Sequence, residues 1–258
     1  MQERVRRILN LILETFEIIG LIILYFSQCI KKINKVNYRE FINNTFEVCY
    51  CSVASVIITT LSIGMVSSLQ LTKHFMAFGA TAEIGGTNAI AQMRELAPLI
   101  TGIVIIGRIG SAWTAEIGSM KMTDQINALK VMKIDLIKFL ISPKVFSCML
   151  SMPILNTVSI IASLTGGFLI TKSIADTSIN SFIDSVHRYI QMYDFSVSTI
   201  KAIVFGAIIA LISCIYGLRA EGGALGVGKY TTKAVVASLV SLFLVNYLLS
   251  LIFYSILK

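Results

Sequence analysis

The amino-acid sequence predicts an all-α integral membrane protein with five transmembrane helices and an N-terminal helix that lies in the membrane interface. The 258 residues are 55% hydrophobic and only 14% charged, whereas soluble domains carry about 25% charged residues. Four uncharged runs, at residues 48–69, 145–171, 202–218 and 234–257, contain 22, 27, 17 and 24 residues. A helix needs roughly 20 residues to cross a bilayer. A barrel strand needs only about ten, so runs of this length indicate helices.

The first predicted element is an amphipathic helix at residues 8–30. Three arginines lie just before it, Glu14 and Glu17 lie in its first half, and the remainder is apolar. This distribution is typical of a helix in the headgroup region rather than one that crosses the bilayer. The glutamates also interrupt the apolar core that a signal peptide needs, so we expect the segment in the mature protein. We divide the chain into an N-terminal region, residues 1–47, and a transmembrane domain, residues 48–258.

A fifth span, residues 96–118, carries two charges, Arg108 and Glu116. A charge at the bilayer centre costs roughly 2.5–3.5 kcal/mol on insertion scales, so such a residue normally faces a partner or a water-filled cavity. The two residues are eight positions apart, which corresponds to a rise of about 12 Å and is too long for a direct ion pair. We expect each to find its partner on another helix. For Arg108 a structural role is favoured over contact with a ligand.

The distribution of Lys and Arg gives the orientation. If residues 1–47, 119–144 and 219–233 share one side, that side carries 15 basic residues, the other carries 6, and Arg108 lies within the membrane. Inner loops are enriched in Lys and Arg, so the first set faces the cytoplasm or a plastid stroma. Inner loops close to anionic lipid explain the net charge of +8. We expect no nucleic-acid binding, because no soluble segment shows a basic face with interleaved aromatic residues.

The sequence offers no catalytic or metal-binding set of residues. The five cysteines form no C-x-x-C pair, and His74 and His187 have no cluster of ligands beside them. Packing roles in apolar segments are favoured for the cysteines. We expect neither a metal ion nor another cofactor.

Two glycine-rich stretches need an explanation. The stretch GGALGVGKYTT, residues 222–232, fits only part of the phosphate-binding pattern G-x-x-x-x-G-K-[ST], because Tyr230 stands where the pattern has a magnesium-binding hydroxyl residue. The apolar run before it is also too long for the strand that such a site requires. We predict a glycine turn beside the membrane. Residues 70–93 are apolar but broken by glycines, which predicts a bent or partly re-entrant element.

The inner-side loop, residues 119–142, shows helical periodicity. Its apolar residues recur every three or four positions, with lysines between them: Ile126, Leu129, Met132, Leu136 and Leu140. This pattern predicts an amphipathic helix. Such a helix either lies against lipid headgroups or docks a soluble partner subunit.

Several motifs together resemble one family of membrane proteins. They are RELAPL (94–99), GRIGSA (107–112), AEIGSMKMTDQINALKVMKIDL (115–136) and GKYTTKAVVAS (228–238). From about residue 41 onward, the chain resembles the MlaE permease family of ABC-type lipid transporters. It departs from the family's usual Gly, Asp, Glu, Gly and Pro at Ala97, Asn127, Lys130, Lys133 and Leu136.

The resemblance implies the permease subunit of a transporter that moves phospholipid or a related glycerolipid between membranes. It implies a homodimer, separate ATPase subunits on the inner side, an Mce-type substrate-binding protein on the outer side, and no ATPase site in the chain itself. The membrane would be a bacterial inner membrane or a plastid inner envelope. The implied substrate-binding residues are Arg94 and Glu95, and we add Phe75 and Phe78 as candidates for contact with acyl chains. The implied ATPase-coupling residues are Glu116, Thr123, Asp124, Gln125 and Asp135.

Two other functions stay open. One is an intramembrane lipid-modifying enzyme with Glu95 or His74 as base, although no nucleophile, base and orienting group occur at usable spacing. The other is a membrane scaffold that transports nothing. Formation of a new lipid product would favour the enzyme, and copurification with a lipid-responsive ATPase would argue against the scaffold.

Overall fold

The computed structural model of the chain describes residues 17–18, 20–32, 37–80 and 83–256. The regular structure within these ranges is helical. The helices, in chain order, are α1 (Gly20–Lys31), α2 (Tyr38–Ala77), α3 (Ile84–Met122), α4 (Gln125–Val131), α5 (Ile137–Ala175), α6 (Ile179–Tyr189), α7 (Met192–Arg219) and α8 (Gly223–Ile256).

Five of these helices, α2, α3, α5, α7 and α8, are long and apolar enough to cross a membrane. This confirms the predicted fold class and its five spans. The helices extend beyond the uncharged runs: α2 covers 40 residues around a run of 22. Helical backbone hydrogen bonding therefore continues beyond the uncharged run, into flanking segments that carry polar side chains. The short apolar helix α1 belongs to the predicted interfacial segment, whose residues 8–16 and 19 lie outside the described ranges.

The chain divides into two compact units, and the boundaries between them fall within long helices. The first unit comprises Met1–Thr45, Ile106–Cys148 and Ala207–Ser241, and it contains the segments predicted on the inner side apart from residues 46–47. The second unit comprises Phe46–Ile105, Met149–Gly206 and Leu242–Lys258. The predicted division into residues 1–47 and 48–258 is a separate proposal and stays a prediction.

In the second unit, α2 and α5 approach each other backbone to backbone. A Cβ atom on Gly64 would lie 2.1 Å from the carbonyl oxygen of Ser163, and one on Gly166 would lie 2.4 Å from that of Leu61. Glycine at such positions lets neighbouring membrane helices pack closely. The two glycines therefore set the distance between α2 and α5.

A Gly64→Ala substitution is expected to destabilise the protein by about 3 kcal/mol, at the upper end of the cost of overpacking, because the added methyl group meets backbone rather than a movable side chain. Thermal unfolding of the detergent-purified protein measures the effect. The matched control is Gly228→Ala in α8, where a Cβ atom meets no heavy atom within 4 Å. This control should be neutral or slightly stabilising. Equal unfolding temperatures for the two variants would contradict the close approach.

Buried amides attach α3 to α2 just before the Arg94–Glu95 pair. Asn88 Nδ2 donates to Ser68 Oγ at 2.6 Å, and Gln92 Nε2 donates to Ser67 Oγ at 2.7 Å. Hydrogen bonds between amide and hydroxyl side chains hold membrane helices together. They fix the start of α3 and hence the position of the charges that follow it.

The inner-side loop is not the single amphipathic helix expected for residues 119–142. Instead α3 continues to Met122, α4 is only seven residues long, and Asp124 and Lys133 take left-handed conformations with φ of 57° and 56°. A positive φ interrupts a right-handed helix. Met132, predicted on the apolar face, lies in the resulting turn and is exposed, whereas Ile126 is buried.

The two glycine-rich stretches form turns between helices. In the stretch 222–232, Gly222 and Gly223 have φ of 89° and 68°, and α8 begins there. The predicted turn is confirmed, and the element before it is the 28-residue helix α7 rather than the strand of a phosphate-binding loop.

The stretch 70–93 bends at a turn between α2 and α3, in which Gly79 has φ of 71°, and its re-entrant character stays a prediction. α2 continues to Ala77, and α3 begins at Ile84. The glycines in α3 serve packing: a Cβ atom on Gly86 would lie 2.3 Å from the Tyr189 ring of α6, and Gly86 N donates to Ser185 Oγ at 2.9 Å. Contact with α6 therefore explains the glycines of α3, whereas Gly79 lies in the turn that precedes it.

Candidate functional site

The Arg94–Glu95 pair lies in a π-helical segment of α3, Gln92–Leu96. A π turn contains an extra residue, which changes the directions of the side chains that follow, and such turns are frequent at functional sites. Met93 is buried, while Arg94 and Glu95 are partly exposed. Both charged side chains find partners on other helices of the second unit.

Arg94 pairs with Asp194 in the first turn of α7. Arg94 Nε lies 2.5 Å from Asp194 Oδ1, and the backbone N–H of Gln191 donates to Oδ2 at 2.9 Å. The helix N-terminus favours a carboxylate at this position. The Asp194 side chain is 0% exposed and that of Arg94 is 35% exposed. Asp194 is therefore the anchored member of the pair, and Arg94 is the member that a ligand can reach.

Glu95 pairs with Lys201, two turns further along α7. Lys201 Nζ donates to Glu95 Oε1 at 2.8 Å, to the Arg94 carbonyl oxygen at 2.9 Å and to Ser250 Oγ at 2.8 Å. These three bonds use all three protons of the ammonium group. Asn246 Nδ2 donates to Glu95 Oε2 at 3.0 Å. The Lys201 side chain is 1% exposed, against 43% for Glu95.

We call Arg94, Glu95, Asp194 and Lys201 the charge cluster. Its two cations and two carboxylates pair with one another, so the cluster has no formal net charge. Asp194 and Lys201 share one face of α7 because a separation of seven residues is close to two helical turns. Removing one member of a buried pair leaves an uncompensated charge. Loss of a single buried member is therefore expected to destabilise the protein more than neutral replacement of a whole pair.

The charge cluster borders a cavity of about 260 Å³ in the second unit. Arg94, Glu95, Lys201 and Ser250 form its polar wall. The remaining lining residues are apolar or aromatic: Val197, Leu251, Phe253, Tyr193, Tyr247 and Tyr254. A cavity with one polar wall and otherwise apolar walls suits a ligand that combines a polar group with a hydrocarbon part.

The structure brings together two of the four predicted substrate-binding residues. Arg94 and Glu95 line the cavity, whereas Phe75 and Phe78 lie at the end of α2 and are not among its lining residues. Acyl-chain contact by these phenylalanines stays a prediction. The sequence prediction did not include Asp194 and Lys201. The sequence did contain one sign of them, because Asp194 and Lys201 are opposite charges seven residues apart, just before the uncharged run 202–218.

The fifth span shows how Glu116 is paired. Lys144 Nζ of α5 donates to Glu116 Oε2 at 2.7 Å and lies 5.0 Å from the centre of the Trp113 ring. This confirms the expectation that Glu116 has its partner on another helix. Arg108 is exposed and lies in a second π-helical segment, Ile106–Gly110. Its predicted structural role stays a prediction.

The other predicted coupling residues lie in the first unit. Thr123, Asp124 and Gln125 are exposed where α3 turns into α4. Asp135 forms an ion pair with Lys32, and the hydrogen bond from Lys32 holds the pKa of the Asp135 carboxyl below its ordinary value. Thr123, Asp124 and Gln125 are thus accessible to a partner, while Asp135 is engaged within the chain.

Comparison with known proteins agrees with this architecture. Residues 41–252 match the family model described as Permease MlaE. A probable ABC transporter permease protein of Synechocystis is 41% identical over 216 residues, which cover 84% of this chain and 82% of that protein. The chloroplastic protein TRIGALACTOSYLDIACYLGLYCEROL 1 of Arabidopsis thaliana is 37% identical over 220 residues, 85% of this chain and 63% of that protein. A probable ABC transporter permease protein of Pyropia yezoensis is 36% identical over 228 residues, 88% of this chain and 87% of that protein.

The apolar spans and these relatives define an integral membrane protein of the ABC transporter permease class. The chain belongs to the MlaE permease family. Its relatives include bacterial proteins and a chloroplast protein.

Proposed function

We propose that the chain is the transmembrane subunit of an ABC-type transporter that moves phospholipid or a related glycerolipid between membranes. ATP hydrolysis is supplied by a separate ATPase subunit. The observation that carries the proposal is the cavity with the charge cluster in one wall and apolar and aromatic side chains in the others. A glycerolipid has the same division, because its headgroup requires polar contacts and its chains prefer hydrocarbon.

The size of the cavity fits a headgroup rather than a whole lipid. Its volume of about 260 Å³ is below the roughly 300–1,000 Å³ of common ligand pockets. The acyl chains then lie outside it, along the exposed side chains of α8 beside the cavity, such as Tyr247 and Leu251. Arg94 is the group suited to a lipid phosphate, because guanidinium binds phosphate oxygens with directed hydrogen bonds.

The proposed transporter is a homodimer with an Mce-type substrate-binding protein on its outer side. Largely exposed side chains along α8 support a second copy, because α7 is mostly buried within the chain while α8 is not. The energy enters through the loop that follows α3. In this mechanism, the ATPase moves the turn at Thr123–Gln125, and α3, which ends at this turn and carries the Arg94–Glu95 pair, transmits the movement. Such coupling requires that the nucleotide states of the ATPase favour different shapes of the permease.

A cavity-blocking variant tests this function. Leu251 lines the cavity and is 49% exposed, and Leu248 on the same helix is 54% exposed but is not a lining residue. Leu251→Trp should lower glycerolipid retained by the purified complex, and lipid-stimulated ATP turnover, by about tenfold, which corresponds to a loss of roughly 1.4 kcal/mol of binding. Leu248→Trp should change neither. Mass spectrometry of the extracted lipid and an ATPase assay provide the readouts.

Three results would contradict the proposal. Equal lipid retention by the two tryptophan variants would place the substrate elsewhere. A new lipid product formed by the purified chain alone would indicate an enzyme. Failure of any ATPase to copurify with the chain, or ATP turnover that ignores lipid, would favour a scaffold.

A further inference from the structure

A second cavity, also of about 260 Å³, lies within the first unit and is lined by basic side chains. Three cationic groups from three helices reach it: Lys121 at the end of α3, Lys130 on α4 and Arg219 at the end of α7. We call it the basic cavity. Nothing in the proposed transport path uses this site.

The other walls of the basic cavity are mainly apolar. They include Leu21 of α1, Ile126 of α4 and Leu218 of α7, with Leu136 and Ile215 beside them. Tyr25 and Asn127 add polar groups. The cavity therefore combines a concentrated positive charge with an aliphatic surface. A soluble anion would need the charge but not the aliphatic surface.

The positive charge is only partly compensated within the chain. Arg219 pairs with Glu17, and Lys121 Nζ lies 3.5 Å from Glu221 Oε1. Both carboxylates are mostly exposed, and exposed ion pairs are weak and easily exchanged. Among the described residues, Lys130 has no ion-pair partner. Three cations and two carboxylates leave one positive charge in excess.

We propose that the basic cavity binds an anionic phospholipid of the inner leaflet. The phosphate is bound by Lys121, Lys130 and Arg219, and the part of the acyl chains next to the glycerol lies against Leu21 and Ile126. The aliphatic walls favour a lipid over free phosphate. The location agrees, because α1 belongs to the segment expected in the membrane interface, where anionic headgroups attract basic residues.

Such a lipid would contact α4, which follows the turn proposed for ATPase coupling. It would also contact α1 and α7, so its binding would restrict movement of α4 relative to both helices. Binding at the basic cavity does not depend on which substrate the transporter carries. The two proposals can therefore fail separately.

Photolabelling of the full-length protein tests this site. The protein is placed in phosphatidylcholine nanodiscs that contain a minor fraction of photoactivatable phosphatidylglycerol, and the labelled peptides are identified by mass spectrometry. We expect labelling of peptides from α1 and α4. Lys130→Ala should lower this labelling about fivefold, the factor equivalent to about 1 kcal/mol for one basic residue near anionic lipid. The Lys130 side chain is exposed, so the variant should fold normally.

The matched control is Lys229→Ala, which removes an exposed lysine of the same unit that does not line the cavity. It should leave the labelling unchanged. An equal loss of labelling in both lysine variants would indicate general attraction to the protein surface and would overturn the proposed site. Unchanged labelling in Lys130→Ala would also overturn it. Soluble glycerol phosphate is tested as a competitor. If it reduced the labelling as effectively as unlabelled phosphatidylglycerol, the cavity would bind free phosphate rather than lipid. Leu251→Trp should not affect this labelling, and this result would show that the basic cavity is distinct from the substrate cavity.

Discussion

A Glu95→Gln variant is expected to destabilise the protein far more than a Lys201→Met variant, although the two residues form one ion pair. The difference follows from their exposure, because the Lys201 side chain is 1% exposed and that of Glu95 is 43% exposed. Glutamine at position 95 leaves a buried ammonium group without its counter-charge, which costs roughly 3–5 kcal/mol. Methionine at position 201 leaves a carboxylate that still has solvent and neutral donors, which costs roughly 1–3 kcal/mol.

The double variant Glu95→Gln/Lys201→Met separates stability from function. Replacement of a buried ion pair by neutral side chains is often close to neutral for stability. We therefore expect the double variant to unfold at a temperature near that of the wild-type protein, above both single variants. Lipid retention should remain low in all three, because the polar wall of the cavity has lost one or both charges of the Glu95–Lys201 pair that lies beside Arg94. Thermal unfolding in detergent and mass spectrometry of bound lipid measure the two properties on the same samples.

Glu221→Gln is the matched control, since it is the same chemical change at an exposed ion pair with Lys121. Such pairs contribute little to stability, so this control should unfold like the wild-type protein. Two results would show that the counter-charge of Lys201 is not needed for stability. One is a Glu95→Gln variant that unfolds like the wild-type protein, and the other is a double variant no more stable than Glu95→Gln. Normal lipid retention in the double variant would remove the Glu95–Lys201 pair from the substrate site.

The spans could be predicted from sequence because the free energy of transfer into hydrocarbon depends mainly on uninterrupted apolar length. The same reasoning missed Lys201. It directly precedes the uncharged run 202–218 and counts among the six basic residues predicted outside the membrane on the other side, whereas α7 begins nine residues earlier, at Met192. Hydropathy does not show how far a helix extends beyond its apolar run. It also does not show which interfacial charges turn inward to a partner.

Local backbone geometry was the other feature that the sequence did not reveal. The π turn at Gln92–Leu96 directs Arg94 and Glu95 to their partners, but its five residues follow no pattern that distinguishes them from an α-helix. At Lys133 a signal existed. The resemblance described above implies glycine at this position, and the backbone has φ of 56°, a conformation that costs a side-chain-bearing residue roughly 1–2 kcal/mol. The glycine expected at position 133 was therefore a sign of the turn that follows α4, although this chain has lysine there.

An Asp124→Asn variant is expected to lower lipid-stimulated ATP turnover of the assembled transporter by about tenfold. Asp124 is exposed at the start of α4, and its carboxylate accepts a hydrogen bond of 2.8 Å from Asn127 Nδ2 within the turn proposed to dock the ATPase. A hydrogen bond to a charged group contributes roughly 1.5–3 kcal/mol, so loss of one such contact with the partner accounts for a factor of about ten. Glu116 suits this test less well, because its carboxylate already pairs with Lys144.

The chain contains a closely matched control for this change. Asp176, after α5, is also an exposed aspartate with a positive φ, 47° against 57° for Asp124. Asparagine tolerates the left-handed conformation as well as aspartate does, so neither substitution should strain the backbone, and any difference between the variants reflects what each carboxylate contacts. Asp176→Asn should leave ATP turnover within about twofold of the wild-type value, well inside the factor of ten equivalent to 1.4 kcal/mol. Equal turnover in the two variants would exclude Asp124 from coupling, since the loss of negative charge and the backbone conformation are the same in both.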